Sequence, residues 1–176
     1  TVTLGIASAA FAAGQRTLII DVDPQSDAST GLDVAAQQHL SVAHVLANPK
    51  PQTIRQAIAA SGWTKNHRGV VHVMLGSPAS MQFDTPVLTK REIWRIEEVL
   101  AEVESDYDLV LIDCPPSLNG LTRMAWTASD RVLVVTEPSL FAVAATQRAF
   151  RAISELQRAV SPRLQALGVL VNRVRP

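Results

Sequence analysis

Three stretches of this chain place an acid or an amide directly after a run of aliphatic residues. Thr17-Leu-Ile-Ile runs into Asp21-Val-Asp23-Pro-Gln25-Ser-Asp27-Ala28-Ser29. Leu109-Val-Leu-Ile runs into Asp113-Cys-Pro-Pro-Ser117, and Leu167-Gly-Val-Leu-Val runs into Asn172-Arg-Val-Arg-Pro176. A fourth run, Arg131 to Thr136, gives way to Glu137-Pro138-Ser139. A carboxylate at the end of an apolar strand is rigidly placed, charged and hard, which suits it to hold Mg2+ through water. An amide offers a donor and an acceptor side by side and can read the edge of a base. Each residue also has a plainer role. Asp113 would cap the next turn, Asp23 would form a turn before Pro24, and Asn172 would sit in the turn after its strand.

The elements that must position these groups can be read from the hydrophobic pattern. Apolar runs over 17–22, 70–75, 109–113, 131–136 and 167–172 are continuous rather than alternating, as expected of strands covered on both faces of a parallel sheet. Between them lie helical patterns. Thr3 to Ala13 is rich in alanine and stops at Gly14, a natural C-cap. Thr89-Lys-Arg-Glu92 is a capping box, followed by a stripe of Ile93, Ile96, Val99, Leu100 and Val103. Residues 139–160 form a longer helix, and two short ones are expected over Val42–Ala47 and Ile54–Ala60. Strands alternating with helices predict an α/β fold in one domain spanning residues 1–176, with right-handed crossovers. In such sheets ligands bind at the carboxyl ends of the strands, where the acids and the asparagine fall.

Composition excludes several classes of function. Hydrophobic residues make up 47% of the 176 and charged residues 18%, enough for a buried core and too apolar for a disordered chain. Sixteen basic and sixteen acidic residues cancel, which removes the simplest argument for nucleic-acid binding, a strongly basic domain. The balance is uneven: eight basic against thirteen acidic residues up to Asp113, then eight against three. A single cysteine, Cys114, rules out an internal disulfide. No apolar run reaches the length of a membrane span, so a cytoplasmic setting is expected, with association with the nucleoid in view.

In combination and in this order, the motifs Asp21-Val-Asp23-Pro-Gln25, Leu109-Val-Leu-Ile-Asp113-Cys-Pro-Pro116 and Asn172-Arg-Val resemble the ParA/MinD family of deviant P-loop ATPases. The likeness runs over essentially the whole chain. Asp23-Pro-Gln25 with Ala28-Ser29 is similar to the ParA-like branch, which acts in chromosome and plasmid partitioning. The resemblance implies a three-layer P-loop NTPase-like fold with a mostly parallel sheet flanked by helices, and ATP and Mg2+ as ligands. It implies that Asp23 orients the attacking water, that Asp113 is the Walker B aspartate on the metal, and that Asn172 reads adenine. Thr1 falls just after the family's Mg2+-ligating Thr or Ser and is placed with the nucleotide-binding residues. The family's preceding strand and its lysine-containing glycine-rich loop are not in this sequence, so the chain is expected to be part of a longer ATPase, and hydrolysis is expected of that parent protein. The missing strand is a central one in the family's sheet.

The implied partners are a second copy in an ATP-dependent homodimer, a ParB-like protein and DNA bound without sequence preference. Arg148, Arg151, Arg158, Arg163, Arg173 and Arg175 are the basic residues available for DNA, although a solvated helix face explains most of them as well. Two other readings fit the fold: a MinD-like membrane-cycling ATPase, and a scaffold without catalysis. Cys114 reads as a small buried filler, His39, His44, His67 and His72 lack metal-ligand spacing, and Trp63, Trp94 and Trp126 form no stacking platform.

Overall fold

The computed structural model describes residues 2–34, 40–64 and 69–174. In chain order it runs α1 (Val2–Ala12), β1 (Arg16–Asp21), α2 (Asp27–Gly31), α3 (Val42–Ala47), α4 (Pro51–Gln56), β2 (Ile58–Ala60) and β3 (Val70–Met74). It continues with α5 (Arg95–Val103), β4 (Leu109–Asp113), α6 (Gly120–Ala128), β5 (Arg131–Thr136), α7 (Leu140–Ala159) and β6 (Gln165–Val171). Among the described residues no helix is long and apolar enough to cross a membrane.

β1 is the middle of the fold because its side chains are apolar on both faces. Leu18, Ile20 and Val22 enter one hydrophobic cluster with α3, α4, α5 and α6. Ile19, one residue out of phase, enters a second cluster with Ala7 of α1 and Ala28 and Leu32 at α2. Helices therefore cover both faces of the sheet, which gives the three layers expected. The Ala-rich α1 ends as its sequence predicts. Gly14 adopts the left-handed conformation at φ 79°, and Gln15 N donates to the Ala10 carbonyl across the helix end. The Thr89–Glu92 box also forms, with Thr89 N donating to Glu92 Oε2 at 2.9 Å. It opens a single 3-10 turn, Glu92–Trp94, ahead of α5.

One expectation is corrected. Ile54–Ala60 is not a single helix: α4 ends at Gln56, and Ile58–Ala60 turns into β2, antiparallel to β3. The open edge of β3 offers backbone partners to a short apolar segment, and that pairing outweighs a modest helix preference. α6 is a helix that the sequence pattern does not announce, because Thr122, Arg123 and Thr127 interrupt its apolar stripe.

Four strands form one sheet in the order β2-β3-β1-β4, with β3, β1 and β4 parallel. β5 and β6 pair in parallel as a separate sheet. Between β4 and β5 lies a groove of about 1200 Å³, lined by all of Leu109–Asp113, all of Arg131–Thr136, and Val2, Thr3 and Ile6 of α1. α6 ties the two sheets together: Leu121, Met124 and Ala125 pack into the first core, while Trp126 joins Val132 and the Ile153 and Leu156 face of α7.

Candidate functional site

The parallel pairing of β1 with β4 sets Asp21 opposite Asp113 in register, and Val22 N donates to the Asp113 carbonyl at 3.0 Å. Asp23 follows two residues on, so three carboxylates share one sheet edge. Each is held differently. Asp21 is fully buried, and its Oδ2 accepts from Ser29 N at 2.8 Å and Ser29 Oγ at 2.6 Å. Ser29 Oγ in turn accepts from Gly76 N at 2.8 Å, so the end of β3 joins the same chain of hydrogen bonds. Gly76 is required there: a Cβ would lie 2.7 Å from Ser26 Oγ and 2.8 Å from Asp21 Cγ.

Asp113 is half-buried and faces the groove, where Thr3 of α1 donates its hydroxyl to Asp113 Oδ1. Asp23 forms the turn that its plainer reading predicts, since Gln25 N donates to its Oδ1 at 2.9 Å. Its second oxygen has no hydrogen-bond partner among the described residues, which leaves it available to a water.

The same convergence sets the electrostatics of the edge. Burial pushes the Asp21 carboxyl up from its ordinary range; the Ser29 hydrogen bonds oppose this, and the charges of Asp113 and Asp23 add to it. The Cys114 thiol is driven up by burial and then by Asp113, Asp23 and Asp21 in turn. A thiol so far from ionising fits the filler role and not a nucleophile.

The donor set fits a hydrated divalent cation. Carboxylate and hydroxyl oxygens are hard ligands, and two buried oxygens at this edge, Asp21 Oδ1 and Ser26 Oγ, have no hydrogen-bond partner. Among the described residues no three His, Cys, Asp or Glu side chains close on a point that would hold a bare ion. An ion there would keep several waters, as Mg2+ does when substrate phosphates complete its shell.

Asn172 lies apart from this cluster. It follows β6, its N donates to the Thr136 carbonyl at 2.7 Å, and β5 and the groove separate it from Asp113. Thr1 and Arg175 lie outside the described residues, as do His39 and His67. Of the other arginines, Arg163 is engaged with Glu97 and with Asp130, Arg158 with the Ser154 carbonyl, and Arg173 with Glu137. Trp126 is a core residue. Sequence reasoning assigned no role to Thr3, Ser29 or Gly76. Ser29 carried a signal in its place after Asp23-Pro-Gln25, and Thr3 carried none.

The chain is similar to known proteins along nearly all its length. The AAA domain family matches residues 1–166. Chromosome partitioning protein ParA of Caulobacter vibrioides is 30% identical over 178 residues, covering 98% of this chain and 63% of that protein. The chain thus spans less than two thirds of that curated relative. Cobyrinic acid a,c-diamide synthase of Mycobacterium smegmatis, solved with a bound ATP analog and magnesium, superposes with a TM-score of 0.80 at 25% identity, over 98% of this chain and 71% of that one. The septum site-determining protein MinD of Pyrococcus horikoshii shares the fold at a TM-score of 0.72 and 21% identity, over 98% and 63% of the two chains. The chain belongs to the AAA domain family and to the ParA/MinD group of deviant P-loop ATPases.

Proposed function

We propose, from that membership, that this chain is the core of a Mg2+-dependent ATPase that acts in chromosome or plasmid partitioning. It would work as a nucleotide-controlled homodimer that binds DNA and answers to a ParB-like partner. The observation that carries the reading is the set of three carboxylates at one parallel-sheet edge, one buried and two half-buried, each hydrogen-bonded differently. Phosphoryl transfer asks for positioned charge and an oriented water rather than covalent chemistry from the protein.

Asp23 orients the attacking water with the carboxylate oxygen that the turn leaves unused. Asp113, held by Thr3, is the residue for the metal's water shell, and Thr1 and Asn172 complete the nucleotide side. Bound Mg2+ supplies neutralisation of the phosphate oxygens. Asp21 supports the others from beneath: its Ser29 brace fixes the turn that carries Asp23. The phosphates need a cradle of backbone N–H groups and lysine that these residues do not supply. The groove between the β4 and β5 edges supports placing the parent protein's phosphate-loop strand there.

Asp23→Ala in the full-length protein tests the assignment. Turnover should fall by about a hundredfold or more while ATP binding changes less than about threefold, the pattern of a group that acts on the transition state. Unchanged turnover would remove Asp23 from the mechanism, and absence of ATP binding by the unmodified full-length protein would remove the ATPase reading altogether.

A further inference from the structure

We propose that residues 78–88, which follow β3, form a strap coupling the loop after Asp23 to the loop after Asp113, with Asp84 as the positioning residue that clasps it. The proposal rests on the reading of the site given above.

The clasp is visible at the start of α6. The helix's own N-cap, Asn119, makes no side-chain capping bond. Asp84 supplies one from 37 residues earlier, with its Oδ1 accepting from Leu121 N at 3.2 Å. Its Oδ2 accepts from Ser117 Oγ at 2.8 Å and from Asn119 Nδ2 at 3.5 Å. One carboxylate therefore holds both the helix N-terminus and the Cys114–Asn119 loop that leads into it, in charge-assisted hydrogen bonds. Thr122 Oγ1 closes the same loop by donating to the Pro115 and Ser117 carbonyls. Contact here is intimate: a Cβ at Gly120 would lie 2.5 Å from the Phe83 carbonyl oxygen and 2.9 Å from that of Thr85.

The strap's other end reaches the first loop. Ser80, fully buried, donates to the Val22 carbonyl at 3.4 Å, one residue before Asp23. Gly76 N, just ahead of the strap, reaches Asp21 through Ser29. Between these ends the chain is a short 3-10 turn, Pro78–Phe83, and Phe83 lies under the Arg95 guanidinium, 5.5 Å from its ring centre. A segment pinned on its side and hydrogen-bonded at both ends moves little without moving both loops. Displacement of Ser117 is passed through Asp84 to Ser80 and Val22, so the water-orienting Asp23 is aligned when the Asp113 loop is in place.

Hydrogen–deuterium exchange on the full-length protein tests the strap, with Asp84→Ala, Asp84→Asn and Ser80→Ala as variants. Asp108→Asn, which loosens the exposed Arg16–Asp108 pair at the opposite strand ends, is the control. Asp84→Ala should speed exchange over residues 115–121 by about tenfold or more, the scale of a lost capping acceptor, and should also speed it over residues 22–29, which Asp84 does not touch. Asp84→Asn, which keeps one carbonyl acceptor, should fall between Asp84→Ala and the unmodified protein. Ser80→Ala should loosen residues 115–121 from the far end, and the control should leave both segments unchanged. In turnover, Asp84→Ala should lower kcat by about tenfold with KM for ATP within about threefold, with kcat referred to the folded fraction measured by circular dichroism so that loss of folded protein is not counted. Faster exchange confined to residues 115–121 in Asp84→Ala would reduce Asp84 to an ordinary helix cap and overturn the proposal. If the full-length protein turns over no ATP, the function proposed above fails, and the exchange pattern still decides the strap.

Discussion

One substitution made at two helical glycines should move stability in opposite directions. Gly5 lies on the exposed side of α1, and a Cβ there would meet nothing within 4 Å. Alanine in place of an interior helical glycine stabilises by about 0.5–1 kcal/mol, because it restricts the unfolded chain and solvates no extra backbone. Gly120 is the first residue of α6, and its Cβ would meet two backbone carbonyl oxygens at 2.5 and 2.9 Å and Leu88 Cδ2 at 3.1 Å. A carbonyl cannot rotate aside as a flexible side chain can. The neighbouring Asp84 is bonded to Leu121 N, so the strap can retreat only by stretching that bond. Forced overpacking costs about 1–3 kcal/mol, which exceeds any helix-propensity gain at a first-turn position. For a chain of this size about 1 kcal/mol corresponds to roughly 2–4 °C in Tm. Gly5→Ala should thus raise Tm by about 1–4 °C, and Gly120→Ala should lower it by about 2–12 °C, in melts followed by far-UV circular dichroism. Urea titrations with unchanged slope would assign the difference to the folded state. Equal shifts in the two variants, or a neutral Gly120→Ala, would refute the close approach of residues 83–85 to α6.

Two further expectations concern the buried groups of the site. The folded state holds Asp21 above its ordinary pKa of 3.8, so over that window the native protein binds more protons than the unfolded chain. Its contribution to stability is present below 3.8 and is lost as pH rises through the folded value; Asp21→Asn should remove that decline, seen as a flatter urea midpoint from pH 4 to 7. A decline as steep in Asp21→Asn as in the unmodified protein would place its origin elsewhere. Cys114, with its thiol raised by burial and three carboxylates, should react with a disulfide reagent at pH 8 more than about a hundredfold slower in the native than in the urea-unfolded protein. Comparable rates would show the thiol to be exposed.

The parts of this fold legible in the sequence are those whose signal is local. Ile19 and Ile112 sit in continuous aliphatic runs, so β1 and β4 are visible as strands, and Asp21 and Asp113 as their terminal acids. Gly14 marks the end of α1, and Thr89 with Glu92 marks a helix start, because both devices act within one turn. What escapes is set by distant partners. Ile58–Ala60 becomes a strand only because β3 has an edge to offer. Thr3 meets Asp113 across 110 residues, and Asp84 meets Leu121 across 37, with no residue type or spacing that announces either pair. Asp23 is the instructive intermediate case. Its turn-forming reading and its catalytic reading are both compatible with the geometry, since one carboxylate oxygen serves the turn and the other is left over.

The charge at this edge is the strongest physical reason to regard it as a site. Arg16 pairs with Asp108, Arg55 with Glu102 and Asp106, and Arg163 with Glu97. None of the described ion pairs involves Asp21, Asp23 or Asp113. Among the described residues the three carboxylates converge without a cation paired to them, so that two of them raise the pKa of the third and all three raise that of Cys114. Close like charges in partial burial destabilise the folded chain, and Ser29 and Thr3 offset that with hydrogen bonds and not with opposite charge. A lysine in place of Thr3 would cancel the repulsion and also fill the groove mouth that Asp113 faces. The arrangement therefore leaves a net negative, partly dehydrated pocket that a cation would stabilise. Under the function proposed above, a hydrated divalent cation arriving with a polyphosphate would fill that role, and the gain in stability on adding Mg2+ with nucleotide to the full-length protein should vanish in Asp113→Ala. An undiminished gain in that variant would place the metal elsewhere.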